Sequence, residues 1–240
     1  MVEWFATLNW GAIGQIIIID ILLGGDNAVI IALACRNLPP RHRRQGIFWG
    51  AAGAIILRVI LITIAVWLLD IPFLKLVGGV LLLWIGIKLI APADEDDSHV
   101  NIEASDKLWS AIKTIIVADL IMSLDNVVAI AGVAEQADPA HQTGLIIFGL
   151  LVSVPFIIFG SQIVLKLLDR FPIIVLLGGA LLGWIAGGLI VGDVFIEPHV
   201  PKTAYVAYGA SAVGALLVVV VAKLLARRRR RLTSQSASSD

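Results

Sequence analysis

Cysteine, histidine and charge are all scarce in this 240-residue chain. Cys35 has no second cysteine to pair with, which excludes an internal disulfide. The four histidines, His42, His99, His141 and His199, lie between apolar stretches, so no zinc-type Cys/His cluster is available. Charged residues make up 15% of the sequence, well under the roughly 25% of a soluble domain. The 18 basic and 18 acidic residues cancel, so the net charge says nothing about nucleic acid; their confinement to short polar stretches between long apolar ones is what is informative. These shortages exclude a soluble enzyme, a DNA-binding module and a disordered chain. A cleavable signal peptide is not expected either: Glu3 stands where a basic cluster would, and the apolar stretch from Gly11 outruns a signal core.

What the chain has instead is apolar length. Hydrophobic residues make up 59% of it, and long charge-poor stretches alternate with short polar ones, the pattern of helices crossing a bilayer. The sequence predicts an all-α polytopic membrane protein, a single membrane domain over 1–240. Its seven spans lie at 10–34, 45–69, 73–91, 109–134, 143–168, 172–192 and 203–226. Each reaches or approaches the about 20 apolar residues that a crossing needs. All but three of the 18 lysines and arginines fall on one face; Lys75 and Lys202 lie on the other, and Arg58 lies within a span. The positive-inside rule then places the N-terminus outside and the C-terminus in the cytoplasm. The tail 227–240 opens with the run Arg227 to Arg231 and ends Ser-rich, which reads as a basic disordered segment acting as a stop-transfer anchor.

The sequence also repeats itself at a period near 100 residues. Asp20-Ile-Leu-Leu-Gly-Gly-Asp26-Asn27-Ala returns as Asp119-Leu-Ile-Met-Ser-Leu-Asp125-Asn126-Val, and Leu68-Leu69-Asp70 returns as Leu167-Leu168-Asp169. Gly78-Gly79 followed by Trp84-Ile85 returns as Gly178-Gly179 followed by Trp184-Ile185. The first repeat covers 10–91 and the second 109–192, with 203–226 as a seventh helix outside the duplication. Three spans per copy is an odd number, so the second copy is inverted relative to the first. Inverted repeats are a transporter signature, with the substrate site near the midplane where the halves meet. The linker 92–108 is acidic, with Asp94, Glu95, Asp96, Asp97, Glu103 and Asp106. It lacks the glycine and ligand spacing of a calcium loop and reads as a solvated cytoplasmic connector.

Four aspartates lie deep inside predicted spans: Asp20 and Asp26 in the first, Asp119 and Asp125 in the fourth. Each costs about 2.5–3.5 kcal/mol to insert at a helix centre, and Arg58 is the one intramembrane cation in sight. Asp20 and Asn27 are seven apart, which returns to nearly the same helix face; Asp119 and Asn126 repeat the relation. Asp26 and Asp125 fall off that face unless the helix breaks, and Gly24-Gly25 is a credible break that would offer backbone carbonyls. Ser123 holds the Gly24 position in the second copy and could offer its hydroxyl. If spans one and four meet antiparallel, the candidate metal ligands are Asp20, Asp26, Asn27, Asp119, Asp125 and Asn126, with Gly24 and Ser123 as candidate additional ligands. This all-oxygen set suits hard divalent ions, Mg²⁺, Ca²⁺ or Mn²⁺. Met122 reads as packing. Arg58 is a candidate charge partner that either neutralises one aspartate in competition with the ion or locks helices together. Asp70 and Asp169 read as interfacial caps. The glycines of Gly183-x-x-x-Gly187 and Gly188-x-x-x-Gly192, and the pairs Gly78-Gly79 and Gly178-Gly179, read as close helix packing.

The stretch Gly25-Asp26-Asn27-Ala28-Val29-Ile30-Ile31-Ala32-Leu33-Ala34, then Arg36-Asn37-Leu38-Pro39, and Ser123-Leu124-Asp125-Asn126-Val127 resemble the TerC (tellurium-resistance) integral membrane family, in its YjbE-like branch. The resemblance runs from the first span through the sixth. It implies a multi-pass protein of the bacterial cytoplasmic membrane, active in metal-ion homeostasis with manganese efflux, and an ion site at Asp20, Asp26, Asn27, Asp119, Asp125 and Asn126. Gly24 departs from the family, where serine is common.

The leading expectation is a non-enzymatic secondary transporter that exports Mn²⁺ by alternating access, its carboxylates taking up protons when the ion leaves. No tightly bound cofactor is expected beyond the transported ion. The expected partners are the lipid bilayer, a divalent ion and protons, with no nucleic acid and with a homo-oligomer left open. Alternatives are a Ca²⁺ or other divalent cation/proton antiporter, and a non-transporting scaffold or metal sensor acting through the linker and tail. An intramembrane aspartyl protease would also use paired aspartates, but such a dyad needs two of them, not four, and no duplicated asparagines.

Overall fold

A computed structural model describes residues 25–69, 71–91, 104–134, 142–201 and 203–236, with isolated positions 11, 14, 17 and 18. Side chains within these are described except at 62, 63, 65–69, 104, 125–134, 142–146 and 229–236. Among the described residues the regular structure is all helical: α1 (Gly25–Cys35), α2 (Pro40–Leu69), α3 (Leu74–Ile90), α4 (Ala104–Ala134), α5 (Gln142–Arg170), α6 (Pro172–Val191) and α7 (Ala204–Ser236), with one 3-10 turn at Glu197–His199.

Among the described residues, four stretches are long and apolar enough to cross a membrane: Pro40–Leu61, Ile147–Arg170, Pro172–Val191 and Ala204–Arg228. At 17 residues, α3 spans about 26 Å at 1.5 Å per residue, just short of a 30 Å hydrocarbon layer. The long helices overshoot it: the 33 residues of α7 reach about 50 Å. Boundaries shift accordingly from the sequence expectations. Pro40 sits at the start of α2, where its fixed φ and missing N–H suit the first helical turn, so Arg41, Arg43 and Arg44 are helical instead of lying in a loop. Likewise α4 starts at Ala104, inside the expected linker 92–108, whose residues 92–103 lie outside the described set. The backbone of 227–236, expected to be disordered, continues α7 as helix through Ser236. Arginine, leucine and alanine are good helix formers, and extending an existing helix needs no new nucleus.

Contacts gather the helices into two compact units, one containing α1, α2, α4 and α5, the other α3, α6 and α7. The division does not follow the duplication: each repeat gives its first two helices to one unit and its third to the other.

In the first unit α1 packs on both α2 and α4, and α2 packs along α4. Glycines bring α2 close to α4: a methyl at Gly50 would collide with the Ile115 side chain, and one at Gly53 would meet Ile116. Burial covers most of α1, including Asn27, Ala28, Ile30, Ile31, Ala32, Leu33 and Cys35. At one end of this unit Arg43 ties three segments together. Its Nη1 donates to Asp169 Oδ2 at 2.8 Å, its Nε to the Leu38 carbonyl at 2.9 Å and its Nη2 to the Arg36 carbonyl at 2.6 Å. Asp169, expected to cap its own helix, is thus engaged across to α2 by this ion pair; Asp70 lies outside the described residues.

The second unit is held by backbone proximity. A methyl at Gly183 would strike the Gly214 carbonyl and one at Gly187 the Ala210 carbonyl, so α6 and α7 cross almost main chain to main chain. Gly79 likewise faces the Ala186 carbonyl, and Gly179 faces Ile90. These are the packing roles expected of Gly183, Gly187, Gly79 and Gly179. Gly188 approaches only Ser211 Oγ, and Gly192 meets only carbonyls of its own helix.

One residue organises the end of this unit. Asp193 is fully buried; its Oδ1 accepts from the backbone N–H of Phe73 at 3.0 Å and Phe195 at 2.9 Å, and its Oδ2 from Leu76 N–H at 3.0 Å. It therefore supplies the acceptors that the first turn of α3 lacks, from 120 residues away. Phe73 takes the left-handed conformation, φ 66 and ψ −2, which is strained for a side chain of its size. Asp193 and the Phe195 ring, 4.4 Å away centre to centre, hold it there. Burial alone would raise the Asp193 carboxyl, but the N–H groups of Phe195, Leu76, Phe73 and Lys75 outweigh that and keep it below the ordinary aspartate range.

Candidate ion-binding site

The first unit buries a polar cluster where α1, α2 and α4 meet. Asp26 opens α1, and Asn27 follows with 4% of its surface exposed. Arg58, from the middle of α2, is 2% exposed; Asp119 and Ser123, one turn apart on α4, are 4% and 0% exposed. The i, i+4 spacing puts the last two on one face, toward α2.

Arg58 Nη2 donates to Asp119 Oδ1 at 2.5 Å and Arg58 Nε donates to Ser123 Oγ at 3.0 Å. Ser123 Oγ in turn donates to Asp119 Oδ2 at 3.2 Å. Both carboxylate oxygens of Asp119 are therefore engaged, in a closed ring of guanidinium, hydroxyl and carboxylate. A charge-assisted pair of this kind is the arrangement that makes a buried carboxylate and guanidinium tolerable in a low-dielectric interior.

Asp26 lies within electrostatic reach of both Arg58 and Asp119. Its Oδ1 accepts the Asn27 backbone N–H at 2.8 Å. The Asn27 side chain behaves differently: buried as it is, neither its amide nitrogen nor its amide oxygen has a hydrogen-bond partner among the described residues. A buried amide left without partners is costly and calls for an explanation, an unseen ion or water among them.

Of the residues singled out from sequence, the structure joins Arg58, Asp119 and Ser123 in one buried hydrogen-bonded cluster, with half-buried Asp26 and buried Asn27 on α1 near enough for the Asp26 carboxylate to feel the charges of Arg58 and Asp119. Asp20 and Gly24 lie outside the described residues. Asp125 and Asn126 fall within helical α4, but their side chains are outside the described set. Among the described residues no group of three or more His, Cys, Asp and Glu side chains stands ready to hold a metal. Ser123, a candidate hydroxyl ligand, accepts from Arg58 Nε and donates to Asp119 Oδ2. Other buried hydroxyls in this unit are also committed, Ser153 to the Leu150 carbonyl and Ser161 to the Ile157 carbonyl. Sequence reasoning missed Asp193, whose partners become neighbours only after folding.

The model of the integral membrane protein TerC family matches residues 5–231. The chain is a TerC-family protein. It is 44% identical over 175 residues to "Uncharacterized membrane protein YjbE" of Bacillus subtilis, covering 73% of this chain and 77% of that one. It is also 24% identical over 215 residues to "UPF0053 inner membrane protein YgdQ" of Escherichia coli K12, 83% of this chain and 87% of the relative. A "UPF0053 protein" of Haemophilus influenzae is 25% identical over 232 residues, 89% of this chain and 94% of the relative. No solved structure matches. Family membership and the apolar helices together make this TerC protein a multi-pass integral membrane protein.

Proposed function

We propose that this TerC protein is a secondary transporter of divalent metal ions in the bacterial inner membrane, exporting Mn²⁺ in exchange for protons. The observation that carries this reading is the buried Asn27 amide with no partner among the described residues, next to a carboxylate that feels the charges of the Arg58–Asp119 pair. Its amide oxygen, with the Asp26 and Asp119 carboxylates, supplies hard oxygen donors suited to Mn²⁺, Mg²⁺ or Ca²⁺ and unsuited to thiophilic metals. Manganese is placed first on the family resemblance. The label of YgdQ as an inner membrane protein supports the location.

On this reading Asp20, Asp26, Asn27, Asp119, Asp125 and Asn126 form the ion cage, and no covalent chemistry or resident cofactor is involved. Loading requires ionised carboxylates, and an emptied cage in low dielectric favours proton uptake, which couples the two fluxes. Flux of Mn²⁺ into proteoliposomes tests it. Asp26→Asn and Asp125→Asn should each abolish transport while leaving the protein inserted and folded; retained flux in either removes that residue from the site. An imposed pH gradient should change the rate, and indifference to it would remove the proton coupling.

A further inference from the structure

Arg58 breaks the symmetry of the duplication. At the repeat's offset of 99 residues, fixed by Asp20 with Asp119 and Asp26 with Asp125, its counterpart is Ile157, an apolar side chain 7% exposed. One half thus carries a buried cation and the other does not, although both carry the Asp-Asn motif. The cation is seated on Asp119, which the proposed function needs as an ion ligand, and both oxygens of that carboxylate are engaged by Arg58 and by the Ser123 hydroxyl that Arg58 holds.

We infer that Arg58 is a built-in competitor for the transported ion: its guanidinium covers Asp119 while the site is empty, and an incoming divalent cation must displace it. The inference rests on the reading of this site as a divalent-ion site. Its physical basis is charge. A divalent ion and a guanidinium on one carboxylate repel each other strongly in a poorly screened interior, so the two occupy Asp119 in turn. Arginine keeps its proton under all relevant conditions, so the cover is always available. Two consequences follow. Ion affinity is lowered by the fraction of time that Asp119 is covered. The emptied carrier also returns across its cycle with Asp119 already neutralised, so that the protons exchanged for Mn²⁺ go to the other carboxylates of the cage.

The test uses the full-length protein in detergent for Mn²⁺ binding and in proteoliposomes for two modes of flux, net efflux and Mn²⁺/Mn²⁺ exchange. Arg58→Gln should bind Mn²⁺ about tenfold more tightly, because the competent fraction rises. Its net efflux should fall far more than its exchange, since only the return of the empty carrier needs the cover. Arg58→Lys keeps the charge in a smaller, non-forked head and should give the same changes to a lesser degree, in a variant expected to fold. Unchanged or weaker Mn²⁺ binding in the Arg58→Lys variant overturns the inference, as does an equal loss of both flux modes; either result makes Arg58 a helix staple. If the unaltered protein neither binds nor moves any divalent cation, the ion reading falls and takes this inference with it. Transport by the unaltered protein with unmoved affinity in the Arg58 variants defeats this inference alone.

Discussion

Asp119 and Asp193 are both buried aspartates, and the two units satisfy them by opposite means. Asp119 is held by side chains, the Arg58 guanidinium and the Ser123 hydroxyl, which can rotate away and be replaced. Asp193 is held by backbone N–H groups of Phe73, Leu76 and Phe195, fixed in place by the start of α3 and by the turn after α6. Exchangeable partners suit a site that binds and releases; fixed partners suit a joint. The surroundings agree. The unit around Asp119 buries Arg58, Asn27 and Ser123, whereas the unit around Asp193 is packed through glycine backbones. The buried guanidinium–carboxylate pair lies in the first unit and the glycine-to-backbone packing in the second.

The largest expected effect comes from stranding the buried guanidinium. Asp119→Ala should lower stability by about 3–5 kcal/mol, because it leaves Arg58 charged and unpaired, and thermal unfolding in detergent measures it. Replacing both partners with leucine should recover most of that loss while leaving the protein unable to transport, since apolar pairs are often as stable as the ion pair they replace. A double variant as unstable as the single one would mean that the cluster has a structural role beyond its charges.

Asp193→Ala comes next, at about 1–2 kcal/mol for lost helix-capping bonds, with no change in ion affinity; altered Mn²⁺ binding would blur the contrast between the units. The same residue gives a pH dependence. Its folded pKa is depressed, so its contribution is fully present above the ordinary aspartate value of about 3.9 and is lost as pH falls through the lower folded value. Unfolding of the intact protein should therefore steepen with acid below that point, and the Asp193→Asn variant should lack this component.

The smallest effect belongs to the exposed pair. Arg43→Gln should cost under about 1 kcal/mol from its bond to Asp169, because a half-exposed ion pair is screened by water and salt. A much larger loss would point to its two carbonyl contacts, at Leu38 and Arg36, as the main tie at that end.

Much of this was legible in the sequence. Apolar length marked the helices, and the cost of intramembrane charge singled out Asp26, Asp119 and Arg58 before any coordinates. The glycine spacing of Gly183 and Gly187 announced a close crossing, although not that α7 would fill it. Three things were not legible. Asp193 sits among residues unremarkable by themselves, and its donors lie 120 residues earlier. The bonds of Ser123 to Arg58 and Asp119 depend on which helix faces which, and spacing alone does not give that. The sorting of each repeat's third helix into a separate unit depends on long-range packing that period and composition do not encode.

The most direct measurement is anomalous diffraction at the manganese edge from crystals of the full-length protein grown with Mn²⁺. The expected result is one peak bonded to oxygens of Asp26, Asn27 and Asp119, with the Arg58 guanidinium drawn off the Asp119 carboxylate. A peak confined to the acidic segment around Asp94–Asp97, or Arg58 still seated on Asp119 with no ion in the first unit, would contradict it.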